Sequence, residues 1–435
     1  MGKIVCKFGG SSVADANQIH KVIEIVQKDV RRRFLIPSAP GKRTDEDTKI
    51  TDLLYLCHEL AKQQIDFSEP FDKIRIRFQE LAKTLSVTLD MAHLLDEIYE
   101  KIAQGAGQDY VASRGEYLSG RVLADVLGAT FIEPANAIVF RPDGRLDEQS
   151  YDLLNEQLTG DGLFVIPGFY GADPQGNIRT FSRGGSDITG AIVARAVGAK
   201  VYENWTDVSG MLMADPRMVD NPLPVEEITY REIRELAYMG AAVFHDEAMF
   251  PVRAAQIPIH IRNTNRPEDP GTQILPHREL TDRMIAGVAG RSNFTMLFIE
   301  KALMNQATGF GQQVLEAVAR HGISYDHTPS GIDTMSVIMR DEELDGKGEV
   351  LVEDIQRILE PDRVELISGL ALIATVGEGM SHRIGIAARL FSALADAGVN
   401  VRVIDQGASE INIIVGVEEP DLKRALSVIY QAFVT

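Results

Sequence analysis

The sequence has few of the residues that disulfide-bonded, metal-binding or membrane proteins require. It contains two cysteines, Cys6 and Cys57, which are too few and too isolated for a disulfide framework or a thiolate metal site. Its nine histidines show no metal-binding spacing, so we expect no protein-bound transition metal. No window approaches the run of about eighteen apolar residues that a membrane-spanning helix needs. These absences predict a reduced protein without a metal centre or a membrane span.

Positive charge is also in short supply, because 44 lysines and arginines face 63 aspartates and glutamates, for a formal net charge of -19. Such a field repels nucleic acid and anionic membrane surfaces, so we expect neither as a partner. Any affinity for phosphate must come from local clusters. The N-terminus passes directly into a strand-like segment without a long apolar stretch or a cleavage site, which predicts a cytoplasmic location.

The length of 435 residues predicts two or three domains, because a single hydrophobic core stops growing below this size. Strand and helix signals alternate through roughly the first 275 residues, which predicts an α/β domain with a mainly parallel sheet. Residues 60–105 interrupt the alternation; they are charged and rich in helix formers, and predict a helical insertion or a lid without chemistry. Prolines and a glycine between Pro267 and Pro276 mark the end of this domain, which we place at residues 1–280.

The remaining chain contains an internal repeat at an offset of 76 residues, in which Gly309 aligns with Gly385 ahead of a predicted helix in each copy. Each copy has the pattern of a βαββαβ sandwich. We place the first module at residues 281–370 and the second at residues 371–435, and allow for exchange of strands between them. Neither copy holds a convincing set of acid, base and nucleophile, so we expect a regulatory or assembly role.

Two glycine pairs at the starts of predicted helices are candidate anion sites. KFGGSS at residues 7–12 precedes a helical pattern that extends to Val30, and SRGGSD at residues 182–187 opens another helix. Glycines let the backbone approach an anion closely, and Lys7 or Arg183 adds a full charge. A tight turn is the simpler reading of the first pair, and an ordinary helix cap is the simpler role for Asp187.

Two further stretches carry polar residues in turn-rich or helical surroundings. SRGE at residues 113–116 places Glu116 near the start of a predicted helix, where it either caps backbone donors or pairs with a substrate ammonium group. Spacing alone does not choose between these roles. TDVSG at residues 206–210 leads to Asp215-Pro216-Arg217, and suits the base and phosphates of a nucleotide, although polar turns like it are common on surfaces.

Together these motifs resemble the amino-acid kinase family and, within it, the aspartate kinases. KFGG, SRGGSD and tandem ACT-type modules on one chain are specific to aspartate kinases, whereas TDV with a later DPR is shared more widely. The resemblance covers essentially the whole chain. It implies a three-layer αβα amino-acid-kinase domain followed by two ferredoxin-like ACT modules.

The resemblance also implies roles for individual residues. Lys7 contacts the transferring phosphoryl group and Asp187 orients Lys7 or the substrate, so both are candidate catalytic residues. The positions that match aspartate-binding residues are Ser38, Thr51, Glu116 and Arg183. The positions that match residues holding ATP, which brings Mg²⁺ with it, are Lys7, Phe8, Gly9, Gly10, Thr206, Asp207, Leu212, Arg217, Ala242 and Val243. The sequence departs from the family at Leu212, where tyrosine is frequent, and at Ala242, where many members have lysine.

In the first module, one set of positions matches the residues that bind lysine in lysine-inhibited members: Met304, Ser324, Tyr325, Asp326 and Ser330. Lysine, threonine or both are therefore the expected effectors. Residues 406–412 of the second module resemble the segment through which such modules pair between subunits, which implies a homodimer or a larger homo-oligomer.

The resemblance thus implies ATP-dependent phosphorylation of the L-aspartate side chain to 4-phospho-L-aspartate, the first step of lysine, threonine and methionine biosynthesis. One alternative keeps the enzyme class and changes the acceptor to glutamate or another small acid. A second alternative is an amino-acid-binding regulatory protein with a degenerate kinase domain, for which Ala242 is the only support.

Overall fold

The computed structural model describes residues 2–182, 184–241, 246–279, 283–381 and 383–434. The chain folds as two units. The first unit consists of Met1–Met211, Val225–Tyr230 and Val243–Arg278, and the second of Leu212–Pro224, Arg231–Ala242 and Glu279–Thr435. Within the described ranges, no helix is both long enough and apolar enough to cross a membrane.

The strands, in chain order, are β1 (Ile4–Phe8), β2 (Arg32–Pro37), β3 (Thr130–Phe131), β4 (Phe164–Val165), β5 (Tyr170–Ala172), β6 (Ile178–Thr180), β7 (Val201–Thr206), β8 (Met211–Leu212), β9 (Pro224–Val225), β10 (Glu227–Thr229), β11 (Ile259–Asn263), β12 (Thr272–Leu275), β13 (Gly287–Glu300), β14 (Thr334–Arg340), β15 (Arg363–Val376), β16 (Val403–Asp405) and β17 (Asn412–Glu418).

The α-helices are α1 (Ala16–Gln27), α2 (Ile50–Lys62), α3 (Ser68–Thr84), α4 (Met91–Ala103), α5 (Gln108–Leu127), α6 (Gln149–Gln157), α7 (Gly185–Ala196), α8 (Tyr230–Tyr238), α9 (Asp246–Ala254), α10 (Phe310–Arg320), α11 (Asp341–Leu344), α12 (Gly348–Leu359), α13 (Ile386–Asp396) and α14 (Leu422–Val434).

The first unit is built on an eight-stranded sheet with the order β10-β12-β11-β7-β1-β2-β4-β3. All neighbours pair in parallel except β11 and β12, which are antiparallel. Side chains alternate between the two faces of β1. Ile4, Cys6 and Phe8 belong to a core shared with α1 to α5, and α7 packs against β1, β2 and β7. The predicted α/β domain with a mainly parallel sheet is confirmed.

The first helix ends earlier than its apolar pattern predicted. The pattern extended to Val30, but α1 ends at Gln27, and Val30 lies beyond it with 76% of its surface exposed. The Asp29 carboxylate accepts hydrogen bonds from the backbone and the guanidinium of Arg31. This local turn competes with continuation of the helix and brings the chain into β2.

The second unit contains a five-stranded antiparallel sheet with the order β14-β13-β15-β17-β16. The repeat predicted from sequence is reproduced in its elements, because β15 and α13 begin 76 residues after β13 and α10. Residues 287–291 of β13 pair with the second half of β15, whereas residues 294–300 pair with its first half and with β14. Each long strand therefore serves both halves of the sheet.

Candidate active site

Lys7 and Asp187 form an ion pair on the α7 face of the large sheet. Lys7 is the penultimate residue of β1, and Asp187 lies in the first turn of α7. The Lys7 Nζ atom is 2.6 Å from Asp187 Oδ1, and the two side chains are 11% and 13% exposed. Such a charge-assisted contact fixes the position of the ammonium group. The structure thus brings the two predicted catalytic residues together.

Asn204, which the sequence analysis did not single out, completes this pair. It lies on β7 in register with Lys7 on β1. Its Nδ2 atom donates to Asp187 Oδ1 at 3.0 Å, and the residue is 4% exposed. A polar residue within a strand that is buried on both faces was the available signal. That Asn204 lies beside the Lys7–Asp187 pair depends on the register between β7 and β1, which the local sequence pattern does not give.

The first glycine pair forms a close contact with the chain that follows β2. The Gly41 N–H donates to the Gly10 carbonyl at 2.9 Å, and a Cβ atom at Gly10 would lie 3.0 Å from the Ala39 carbonyl oxygen. At Gly9, a Cβ atom would lie 3.7 Å from Lys7 Nζ, so glycine keeps the space beside the ammonium open. The Gly9 N–H itself donates to the Trp205 carbonyl at 2.9 Å.

The second glycine pair begins α7. Gly184 has a φ of 59°, in the left-handed region that favours glycine. A Cβ atom at Gly185 would lie 2.5 Å from the Phe169 ring, so this residue must also be small. The turn delivers Ser186 and Asp187 to the same end of the sheet as Lys7. Arg183, the predicted carboxylate clamp, lies outside the described residues.

Glu116 is a buried carboxyl group with one orphaned oxygen. It is 6% exposed, and its Oε2 atom has no hydrogen-bond partner among the described residues. Burial raises the pKa of Glu116 to about 8, although a hydrogen bond from the Ala39 backbone lowers it in part. The expectation that Glu116 lies near a helix start is wrong, because α5 begins at Gln108. Capping is excluded as its role, since backbone donors in mid-helix are already paired.

An open cleft of about 310 Å³ joins these groups. The residues that line it are Lys7, Ser38, Thr51, Glu116, Phe169, Gly184, Gly185, Ser186 and Asp187. Thr51 lies in the first turn of α2, and the Ser38 N–H donates to the Phe8 carbonyl just beyond the end of β2. Five predicted site residues therefore line one cleft, which contains the Lys7 ammonium group and the Glu116 carboxyl group, whose Oε2 atom has no partner among the described residues.

Comparisons with known proteins identify the family of this chain. A sequence model of the amino acid kinase family matches residues 2–263, and an ACT domain model matches residues 373–433. Aspartokinase 3 of Bacillus subtilis is 37% identical over 445 residues, which cover 99% of this chain and 98% of the relative. The chain belongs to the amino acid kinase family and, within it, to the aspartokinases.

Solved aspartokinase structures agree with this assignment. The aspartate kinase of Clostridium acetobutylicum is 49% identical and superposes with a TM-score of 0.92 over 100% of both chains. Aspartokinase III of Escherichia coli, in complex with aspartate and ADP, is 26% identical with a TM-score of 0.77 over 100% of both chains. The same enzyme in complex with lysine and aspartate is 27% identical to this chain and superposes with a TM-score of 0.76. This chain is thus an enzyme of the aspartate kinase type, with the predicted fold.

The predicted nucleotide residues of this aspartokinase are divided between its units. In the first unit, the Thr206 hydroxyl donates to Asp207 Oδ1 at 3.2 Å. Leu212 and Arg217 belong to the second unit, where the Arg217 guanidinium pairs with Asp215 at 2.6 Å and is 87% exposed. Ala242 and Val243 lie outside the described residues.

The predicted effector residues of this aspartokinase include a second buried carboxyl group. The Asp326 side chain is 2% exposed, its Oδ2 atom is 3.9 Å from Arg340 Nε, and its Oδ1 atom has no partner among the described residues. Burial raises the pKa of Asp326. The other predicted positions lie on the surface or in short turns: Met304, Ser324, Tyr325 and Ser330.

Proposed function

We propose that this aspartokinase transfers the γ-phosphoryl group of ATP to the side-chain carboxylate of L-aspartate and so forms 4-phospho-L-aspartate and ADP. The observation that carries the proposal is a cleft lined both by the Lys7–Asp187 ion pair and by Glu116, whose Oε2 atom has no partner among the described residues. A cation that stabilises phosphate and an anion that receives an amino group are what this pair of substrates requires.

The reaction needs no general base. A carboxylate oxygen of aspartate attacks the γ-phosphorus, and the bond from this phosphorus to the bridging oxygen breaks. The electron pair leaves with ADP. Because the nucleophile is already ionised at neutral pH, catalysis consists of alignment and of stabilisation of phosphate charge. The fixed ammonium of Lys7 performs the second task, and Asp187 with Asn204 holds it in place.

The substrate amino group accounts for the orphaned oxygen of Glu116. A buried carboxyl oxygen without a hydrogen bond is costly, and an ammonium ion supplies both a donor and a compensating charge. Thr51 and Ser38 line the same cleft and offer hydroxyl groups. Arg183 is proposed to hold the second carboxylate of the substrate in bidentate fashion.

The first glycine pair fits a nucleotide phosphate, because a Cβ atom at Gly9 would lie 3.7 Å from Lys7 Nζ and glycine leaves that position empty. We propose that Lys7, Phe8, Gly9 and Gly10 contact the phosphates and that Mg²⁺ arrives with ATP to neutralise part of their charge. The remaining proposed nucleotide contacts are Thr206, Asp207, Leu212, Arg217, Ala242 and Val243.

We further propose that the enzyme catalyses the first step of lysine, threonine and methionine biosynthesis and is inhibited by lysine, threonine or both. The buried Asp326 carboxyl, one oxygen of which has no partner within the described part of the chain, suits an effector ammonium group. The structure of the Escherichia coli enzyme with lysine supports lysine as one effector. Pairing of the ACT modules into a homodimer or larger assembly, and a cytoplasmic location, stay predictions.

Replacement of Lys7 tests the proposed chemistry. Lys7→Met removes the charge that faces the transferred group, so kcat should fall by about a hundredfold or more. Lys62→Met, at an exposed position on α2, is the matched control and should leave kcat unchanged. ADP release at saturating MgATP and aspartate measures both. Near-native turnover of Lys7→Met in a folded enzyme would refute the role of Lys7.

A further inference from the structure

Arg77 is a buried guanidinium in the helical segment to which the sequence analysis assigned no chemistry. It lies on α3 and is 4% exposed. Its Nη2 atom donates to the Ala14 carbonyl at 2.8 Å and to the Gly41 carbonyl at 2.6 Å. Its Nη1 atom lies 2.7 Å from Asp47 Oδ2, and its Nε atom donates to Ala14 at 3.2 Å. All three nitrogen atoms of the Arg77 guanidinium group therefore have hydrogen-bond partners.

The two carbonyl groups that Arg77 binds belong to two backbone segments that meet at Gly10. Ala14 follows the short turn of residues 10–13, and Gly41 donates its N–H to the Gly10 carbonyl. A Cβ atom at Gly41 would lie 2.9 Å from the carbonyl carbon of Gly10, so these backbones are in close contact. Arg77 therefore links the segment that follows the glycine pair, at Ala14, to the segment that packs against Gly10, at Gly41.

The third partner of Arg77 holds the other end of the same segment. Asp47 accepts hydrogen bonds from Arg77 and from the backbone and guanidinium of Arg43, and these interactions hold the pKa of Asp47 below its usual range although burial raises it. Residues 41–49, the connecting loop, lead directly into α2, where Thr51 lines the cleft. The Arg77 guanidinium group therefore binds the connecting loop at two positions, Gly41 and Asp47.

We infer that Arg77 is a positioning residue for phosphoryl transfer, which holds the connecting loop against Gly10 and so aligns the phosphate side of the cleft with the side that carries Thr51. This inference rests on the proposed function. The planar fork of arginine can bind two carbonyls and a carboxylate at fixed angles, which a lysine ammonium cannot do. Misplacement of reacting groups by about 1 Å costs on the order of a hundredfold in rate.

The test compares Arg77→Lys with Arg75→Lys. Arg75 lies on the same helix and pairs with Asp96 on the protein surface at 2.7 Å. Arg75→Lys is therefore the matched control, because it makes the same substitution on α3 at a residue that pairs away from the connecting loop. Full-length enzymes are assayed for aspartate-dependent ADP release well below their unfolding temperatures. We expect kcat of Arg77→Lys to fall by about tenfold or more with a change in the aspartate KM below about threefold, because alignment rather than ground-state binding is lost. Arg75→Lys should match the parent.

Hydrogen exchange provides a second measurement that does not depend on turnover. Arg77→Lys should accelerate exchange in peptides that cover residues 38–50, and Arg75→Lys should not. A folded Arg77→Lys enzyme with kcat within about twofold of the parent would overturn the inference. An equal loss in Arg75→Lys would also overturn it, since the effect would then belong to α3 as a whole. Absence of aspartate-dependent turnover in the parent would instead refute the proposed function.

Discussion

At the scale of single residues, Glu116 and Asp187 show how surroundings divide the roles of two carboxyl groups in one cleft. Asp187 accepts from both Lys7 and Asn204, whereas one oxygen of Glu116 has no partner among the described residues. Burial raises the pKa of Glu116 to about 8, although a backbone hydrogen bond from Ala39 and the charge of Arg114 lower it in part. Near neutral pH the unliganded cleft therefore holds this carboxyl mainly in its neutral form, and a bound ammonium group would favour the ionised form.

This pKa predicts how stability depends on pH. The folded value of about 8 lies above the ordinary value of 4.5, so between these pH values the folded protein keeps a proton that the unfolded chain has lost. The contribution of Glu116 to the free energy of unfolding therefore falls as pH rises from about 4.5 to about 8. Relative to Glu116→Gln, the parent should be less stable at pH 8.5 than at pH 6. Urea unfolding at both pH values measures this difference, and a constant difference would contradict the assignment.

The sequence predicted the residues proposed to contact the substrates better than the residues that fix the positions of those side chains and loops. Lys7, Glu116 and Asp187 stand in motifs, and the structure brings them to one cleft together with Ser38 and Thr51. Asn204 and Arg77 are not part of any motif that the sequence analysis recognised. Their partners depend on strand register and on helix packing over long sequence separations, and neither can be obtained from local pattern.

At the scale of elements, the position of Asp187 depends on how closely α7 approaches β7. A Cβ atom at Gly190 would lie 2.4 Å from the Tyr202 hydroxyl oxygen, which itself donates to the Asp187 carbonyl at 3.1 Å. Glycine at this position therefore sets the distance between the helix and the sheet. The same contact places the Asp187 carboxylate within reach of Lys7.

Gly190→Ala should separate α7 from β7 and destabilise the protein by about 1–3 kcal/mol, because the added methyl group overpacks a buried contact. Gly162→Ala is the control, since a Cβ atom there meets nothing within 4 Å, and it should change stability by less than about 0.5 kcal/mol. Denaturant unfolding measures both. If the two variants were equally stable, close packing at Gly190 would not position α7.

Element boundaries were predicted well where a glycine precedes the helix and poorly where local side-chain contacts decided them. The helix predicted to open at the second glycine pair is α7, which begins at Gly185, and the helix predicted after Gly309 is α10, which begins at Phe310. The end of α1 was missed because of the Asp29 and Arg31 contact. The start of α5 was missed because the motif at residues 113–116 resembles a helix opening but lies within the helix.

At the scale of the whole molecule, the duplicated modules share their longest strands. The proposed boundary between residues 370 and 371 lies within β15, whose two halves pair with different parts of β13. Neither half of the sheet can therefore lose a long strand without exposing the edge of the other. Such shared strands suit a region that responds to an effector as one body. The domain limits at residues 280 and 370 stay predictions.

The central claim is that this aspartokinase phosphorylates the side chain of aspartate, and one assay tests it most directly. Full-length enzyme with MgATP is given aspartate, glutamate or no acceptor; ADP release is followed, and the acyl phosphate is trapped with hydroxylamine. We predict aspartate-dependent ADP release with a matching amount of aspartyl hydroxamate, and inhibition by lysine, threonine or both. Turnover with glutamate alone, or ATP binding without turnover on any acceptor, would contradict the claim.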